Sequence, residues 1–187
     1  AGASPELLER LVGGEIRVSQ LYDPRELLHF PAPVVGALEG PAVGGGLALA
    51  LGCDLLVASE GARYGFNFAQ MGFTPELATT LLLPRRVGFA FAGEMLFTGK
   101  LYTGRELCAR RLFEYAEGAG RVRERVWDLA RRMAEAPRET LRLLKENLAR
   151  ARAEGIEEAL AREDRMQRIS FAGAETKALV GERYIAS

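Results

Sequence analysis

An α/β core running into an all-helical C-terminal region is the fold class this sequence predicts. Two observations carry that reading. Short apolar runs, Pro33-Val34-Val35 and residues 54–58 (DLLVA), bracket a glycine-rich loop and a helical stretch at residues 47–51, the order of a strand–helix–strand unit. From about Gly120 the composition changes, and Val122, Val126, Leu129 and Met133 recur at helical spacing among many Arg and Glu. At 187 residues and 48% hydrophobic, the chain can bury one substantial core, assigned to residues 1–118, with a helical region at 119–187.

The elements follow in order. Ser4-Pro5 is a helix entry, with serine as the cap and proline at the first position, and Leu7, Leu8, Leu11 and Val12 give it an apolar stripe. Residues 16–28 read as a second helical segment, interrupted near Pro24. His29, the sole histidine, precedes Phe30-Pro31 and reads as structural or exposed. After the strand at 54–58, residues 62–65 form a short edge strand and residues 66–75 a loop. Residues 77–83 precede Pro84, a helix runs over 89–97, and Thr103-Gly104-Arg105-Glu106 opens another, with Leu107 and Leu112 facing inward. Amphipathic helices follow over 121–136, 139–153 and 156–167.

Composition excludes several function classes. Basic and acidic residues balance at 25 each, so nothing draws the chain as a whole to nucleic acid or an anionic membrane. Cys53 and Cys108 make no disulfide framework and suit a reducing compartment. No stretch reads as a membrane span or secretory signal, which points to the cytoplasm. No metal-ligating set is evident. The opening Ala1-Gly2-Ala3-Ser4 lacks methionine, so a preceding segment is expected.

Residues 36–54, GALEGPAVGGGLALALGCD, organise the rest. Glycines ahead of a helix let a ligand approach the backbone and leave N–H groups free for negative charge. A P-loop is excluded because no Gly-Lys-Ser/Thr follows, and a dinucleotide fingerprint because Leu49 stands where the third glycine belongs. Tight helix–strand packing is the plainer alternative.

Residues 33–54, PVVGALEGPAVGGGLALALGCD, resemble the signature of the crotonase (enoyl-CoA hydratase/isomerase) superfamily. The similarity continues through Tyr64-Gly65, residues 72–75, residues 83–88 (LPRRVG) and residues 94–99 (EMLFTG), in family order. Ala1-Gly2-Ala3-Ser4 resembles the family's AGAD loop. The resemblance implies a crotonase-like spiral of ββα units with C-terminal helices that assemble a homotrimer or a dimer of trimers. The family's first strands would precede residue 1. Residues 66–88, FNFAQMGFTPELATTLLLPRRVG, and the tail over 163–177 are most similar to the decarboxylating branch of polyketide β-branching cassettes, which act on 3-methylglutaconyl groups held by an acyl carrier protein.

The same resemblance implies a thioester enolate stabilised by two backbone N–H groups, matched here by Ala3 and Gly45. No cofactor is implied beyond the CoA or carrier-protein phosphopantetheine that bears the acyl group, which Gly44, Phe68 and Ala48 are expected to contact. Ala48 and Phe68 stand where hydratases of the family carry their two glutamates, and neither moves a proton, so hydration by that route is disfavoured. Apolar residues there suit loss of CO2, since C–C cleavage makes the enolate without a base. Two departures count against the decarboxylating branch: Gln167 matches its catalytic histidine, and the helix of Leu7, Leu8 and Leu11 lacks its lysine.

Glu76 and Tyr22 are the groups that could take over. Glu76 matches the nucleophilic aspartate of the superfamily's dehalogenases, and an apolar loop would raise its pKa into the range of a proton donor. Its plainer reading is a surface or helix N-terminal carboxylate after Pro75. Tyr22, placed on the helix before the first strand, would add polarity to the pocket or simply pack half-buried. Tyr64 reads as packing, and Arg85 and Arg86 as structural ion pairs. An isomerase or hydrolase using Glu76, and a degenerate homologue kept for binding or assembly, remain the competing functions.

Overall fold

The computed structural model describes residues 4–182. Its elements are α1 (Pro5–Val12), α2 (Pro24–Leu28), β1 (Val35–Leu38), β2 (Ala42–Val43), α3 (Gly45–Ala50), β3 (Leu55–Ser59), β4 (Arg63–Gly65), α4 (Thr79–Val87), α5 (Phe89–Thr98), β5 (Tyr102–Thr103), α6 (Gly104–Ala109) and β6 (Tyr115–Glu117), then α7 (Val122–Ala134), α8 (Arg138–Ala153), α9 (Ile156–Ala172) and α10 (Ala174–Val180). The first four strands alternate between two sheets, and β5 returns to the second beside β4 before β6 joins the first. β1, β3 and β6 form one, all parallel in the order β1-β3-β6, and β2, β4 and β5 form the other in the order β2-β4-β5. A strand for each sheet and then a helix is the repeating step of a ββα spiral, as expected.

The parallel sheet is built from apolar segments because both faces are covered. Leu56, Val57 and Ala58 are fully buried, and α7 packs across β1 and β3. Register pairs Val35 with Leu55 and Leu38 with Ala58 in the first sheet, and Ala42 with Tyr64 and Val43 with Gly65 in the second, so β2 and β4 end side by side. That pairing sets up the loop from β2 into α3.

Several local expectations are corrected. Residues 63–65 are the central strand of the second sheet, not an edge. Tyr64 is completely buried, and its hydroxyl donates to Leu38 O at 2.9 Å. The partners β2 and β5 are only two residues long, too short to leave a periodic signal. The single segment over 16–28 becomes a 3₁₀ turn at Val18–Gln20 and a separate α2, capped by Asp23, whose Oδ1 accepts Arg25 N–H at 2.9 Å. Tyr22 therefore lies in the turn between them, not on a helix.

α4 runs through Pro84, where the sequence suggested a stop. Its last turn is held from outside. Arg86 donates to Cys53 O (2.6 Å) and Glu114 Oε1 (3.1 Å), and Arg85 to Arg152 O and Glu154 O. These bonds anchor the turn in which proline removes a helical hydrogen bond. α9 continues past Gln167 to Ala172, and α10 follows. Among the described residues no helix is long and apolar enough to cross a membrane.

Candidate active site

α3 has six residues and begins at Gly45. Gly44, immediately before it, has φ 62° and ψ −127°, a region that side chains beyond glycine do not tolerate. This kink lets Gly44 N–H bond Gly65 O (2.9 Å) while its carbonyl accepts Leu47 N–H (3.1 Å) and Ala48 N–H (3.0 Å). Gly45 N–H has no partner among the described residues. As a first-turn donor it lies at the positive end of the helix.

That end of α3 opens on a cavity of about 560 Å3. Apolar side chains dominate the wall: Leu7, Leu8 and Leu11 from α1, Met71 and Phe73 from the loop after β4, and Phe171 from α9. Phe73 packs on Phe171 with ring centroids 5.2 Å apart, joining the loop to the C-terminal region. The stripe read from residues 7–12 thus builds one wall, as α1 turns its Leu8 and Leu11 inward.

Glu76 enters the same cavity. Its Oε1 comes so close to Gly45 that a Cβ built there would lie 2.5 Å from it, and its Oε2 accepts a hydrogen bond from Gln167 Nε2 at 3.1 Å. Burial raises its pKa to about 7; the Gln167 bond acts against this and the negative Glu163 adds to it. Glu76 also lines a second cavity of about 240 Å3, where the charged groups Asp23, Arg25 and Asp164 join Tyr22 and Gln167, so its side chain borders both spaces.

The backbone that delivers Glu76 is unusual. Leu77 and Ala78 both have φ 57°, in the left-handed region that non-glycine residues seldom occupy. Glu163 of α9 spans this turn. Its Oε2 accepts Ala78 N–H at 2.7 Å, and its Oε1 accepts Thr80 N–H at 2.7 Å and the Thr80 hydroxyl at 2.6 Å. Glu163 is 2% exposed, and burial raises its pKa against those bonds.

The expected site residues separate into groups. Gly44, Gly45, Phe68 and Glu76 line the large cavity, and Tyr22 lines it with an otherwise exposed side chain. Gln167 reaches the site through Glu76 and lies on the small cavity. Ala48 is completely buried and does not line the cavity, because it faces the core from the second half of the first turn of α3. Ala3 lies outside the described residues. Glu76 is not the surface or helix N-terminal carboxylate of the plainer reading, since α4 starts at Thr79 and the two residues between are the left-handed turn.

Two residues were missed. Asn67 lines the cavity with Oδ1 3.3 Å from where a Gly44 Cβ would stand. Glu163 carried one legible signal: with Gln167 and Phe171 it falls at i, i+4 and i+8, a stripe along one helix face. Among the described residues no group of three or more His, Cys, Asp or Glu is placed to hold a metal ion.

Comparison with known proteins places these features in context. The family described as enoyl-CoA hydratase/isomerase matches residues 15–183. A Thermus thermophilus protein named for enoyl-CoA hydratase is 37% identical over 164 residues, covering 84% of this chain and 64% of that protein. The bacillaene synthase decarboxylase PksI of Bacillus subtilis is 30% identical over 157 residues, covering 84% of this chain and 63% of that protein. The chain therefore spans just under two thirds of the length of these two relatives. The crystal structure of the ECH2 decarboxylase domain of CurF from Lyngbya majuscula superposes with a TM-score of 0.88 at 32% identity, over 98% of this chain and 75% of that one.

Proposed function

This chain belongs to the enoyl-CoA hydratase/isomerase family, and from that premise we propose that it removes CO2 from a 3-methylglutaconyl-type group held as a thioester on an acyl carrier protein. The observation that carries the proposal is the pairing of the Gly45 N–H, unbonded among the described residues, with the Glu76 carboxyl in one apolar cavity. Similarity to PksI and to the CurF domain, both named decarboxylases, supports the reaction class.

The chemistry uses those two groups in sequence. The substrate's own carboxylate departs as CO2, and the electron pair of the broken C–C bond moves into the thioester as an enolate. Gly45 N–H, aided by the α3 dipole, bonds the oxygen as it becomes anionic; losing such a donor typically costs about 3–4 kcal/mol. Ala3 N–H is the second donor in this reading. Glu76, protonated below a pKa of about 7, then gives its proton to the enolate carbon and is recharged from water. One proton is consumed and one CO2 released per turnover. Phe68 and the leucine wall keep water from the departing carboxylate, which favours its loss. Tyr22 adds its hydroxyl at the rim.

Incubation with 3-methylglutaconyl carrier protein, followed by mass spectrometry of the carrier, tests the proposal. The acyl group should lose the mass of one CO2, and Glu76→Gln should slow formation of the protonated product by about 100-fold, leaving a measurable residual rate. An unchanged acyl mass with folded protein would remove the reading.

A second reading has one observation in its favour. A carboxyl with a pKa of about 7 serves as base as readily as acid, so Glu76 would also suit proton shuttling in an acyl-CoA isomerase or hydrolase. Turnover of CoA thioesters that carry no carboxylate would favour it. Assembly belongs to the same proposal. Leu143, Leu144 and Leu148 on α8 and Trp127 on α7 are exposed apolar side chains, suited to a homotrimer. Light scattering should report three copies, or six for a dimer of trimers, and a monomer at micromolar concentration would count against it.

A further inference from the structure

Glu163 takes no part in the chemistry above, yet it is buried, and its carboxylate accepts three hydrogen bonds from one short stretch of chain, two from backbone N–H groups and one from the Thr80 hydroxyl. All three fall between Ala78 and Thr80, the stretch directly after Glu76. We propose that Glu163 is a positioning residue for Glu76: it clamps the left-handed Leu77-Ala78 turn from behind and so fixes the point from which the Glu76 carboxyl reaches Gly45. The inference rests on Glu76 acting as the proton donor.

The geometry gives the clamp a defined job. Thr79 N–H and the Thr79 hydroxyl both bond Glu76 O, at 3.0 and 2.5 Å, so the Glu76 backbone is tied to the same turn that Glu163 holds. Leucine and alanine gain nothing from a left-handed backbone, and the turn has no glycine to make it easy. Without the carboxylate, Ala78 N–H and Thr80 N–H lose their acceptor. The turn is then free to relax to ordinary dihedrals, carrying Glu76 with it. One helical turn along α9, Gln167 bonds the Glu76 carboxyl directly. A single helix face thus sets both the backbone and the side chain of the proposed acid.

A purely structural role, fastening α9 to the core, makes a different prediction, and a double-mutant cycle separates the two. Turnover of 3-methylglutaconyl carrier protein is measured for wild type, Glu163→Ala, Glu163→Gln, Glu76→Gln and the Glu76→Gln/Glu163→Ala double variant. Positioning predicts that Glu163→Ala lowers kcat by about 10–100-fold while KM stays within about twofold. Glu163→Gln, which keeps one acceptor oxygen, should lose less. In the Glu76→Gln background, Glu163→Ala should cost nothing more. Equal fold-losses with and without Glu76, or wild-type kcat in Glu163→Ala, would overturn the inference.

Should Glu163→Ala fail to fold, Glu163→Gln and Thr80→Val carry the test. Thr80→Val removes only the hydroxyl donor and should give the same kcat-specific loss on a smaller scale; unchanged kcat in both overturns the clamp. Full turnover in Glu76→Gln would instead defeat the reading of Glu76 itself. Positioning is then decided without substrate, by carboxyl carbon NMR of Glu76. Its titration should move down from about 7 in Glu163→Ala, as the carboxyl leaves its buried seat and loses a negative neighbour. Asp23, Arg25, Glu157 and Asp164, the other charged groups around the small cavity, are the same in both proteins. A midpoint that does not move refutes the clamp.

Discussion

The two ends of α3 are treated in opposite ways. At its C-terminal end every exposed carbonyl is answered: Arg152 Nη2 donates to Leu51 O and Cys53 O, both at 2.8 Å, and Arg86 adds a bond to Cys53 O. Asp54, just beyond, accepts Val34 N–H (2.7 Å), Lys145 Nζ (2.6 Å) and Arg152 Nη1 (2.8 Å). At its N-terminal end Gly45 N–H has no partner among the described residues and lies at an apolar cavity with the Glu76 carboxyl. A six-residue helix is far too short to hold its own direction. Saturating one end with charged partners is what lets the other stay open and still be aimed.

The largest effect should come from breaking the saturated end. Asp54→Ala strands Lys145, which is 4% exposed and among the described residues is otherwise bonded only to Leu27 O, and takes one partner from Arg152. Losing one partner of a buried ion pair costs about 3–5 kcal/mol. Denaturant unfolding should record a drop of that size, and a change under about 1 kcal/mol would mean the network is replaceable by water.

At the open end the sign reverses. Folding raises the Glu76 pKa from 4.5 to about 7, so between those values the folded chain holds a proton that the unfolded chain has released. Stability is therefore full below pH 4.5 and falls as pH rises through about 7. Glu76→Gln carries no charge to bury. At about pH 8 it should be more stable than wild type, by up to about 3 kcal/mol on the scale of 1.36 kcal/mol per pKa unit, while its turnover falls to a residual rate. Equal stability of the two proteins across this range would put the carboxyl in water and erase the contrast between the ends.

This contrast was only half legible in the sequence. The glycines at 44–46, the apolar run after them and the cap at Ser4-Pro5 are local signals, and each was read in place because backbone conformation is decided within a few residues. The strand–helix–strand order followed from apolar runs at strand length, and the ββα spiral came only with the resemblance to the family, which rested on the same stretch. The two-residue strands β2 and β5 were unreadable, having no room for a period. Glu76 could be suspected from its neighbours, but its seat depends on Gln167 and Glu163, 91 and 85–83 residues distant in sequence from their partners. The saturated end is of the same kind: Asp54 meets Lys145 and Arg152 across 91 and 98 residues. Long-range polar contacts leave no local pattern, so sequence showed which end of α3 was special and not what fixed the other.

Gly45→Ala gives the smallest change in stability and the finest test of how the open end works. Gly45 does not have a positive φ, so alanine fits its backbone, and as the first helical residue it should shift stability by under about 1 kcal/mol. The new Cβ, however, would stand 2.5 Å from Glu76 Oε1, with the next carboxyl atom at 3.8 Å. The carboxyl is the flexible partner, so it is the group that must swing aside, weakening its bond to Gln167. The Gly45 N–H remains free to bond a thioester oxygen. Substrate binding should therefore hold while the protonation step slows, by about 100-fold if the lost contribution is that of a placed general acid. A kcat/KM loss that falls wholly on kcat would sharpen the division of labour between amide and carboxyl at this end of the helix. A loss confined to KM would mean that Gly45 is glycine to admit the substrate, and that Glu76 merely borders the space.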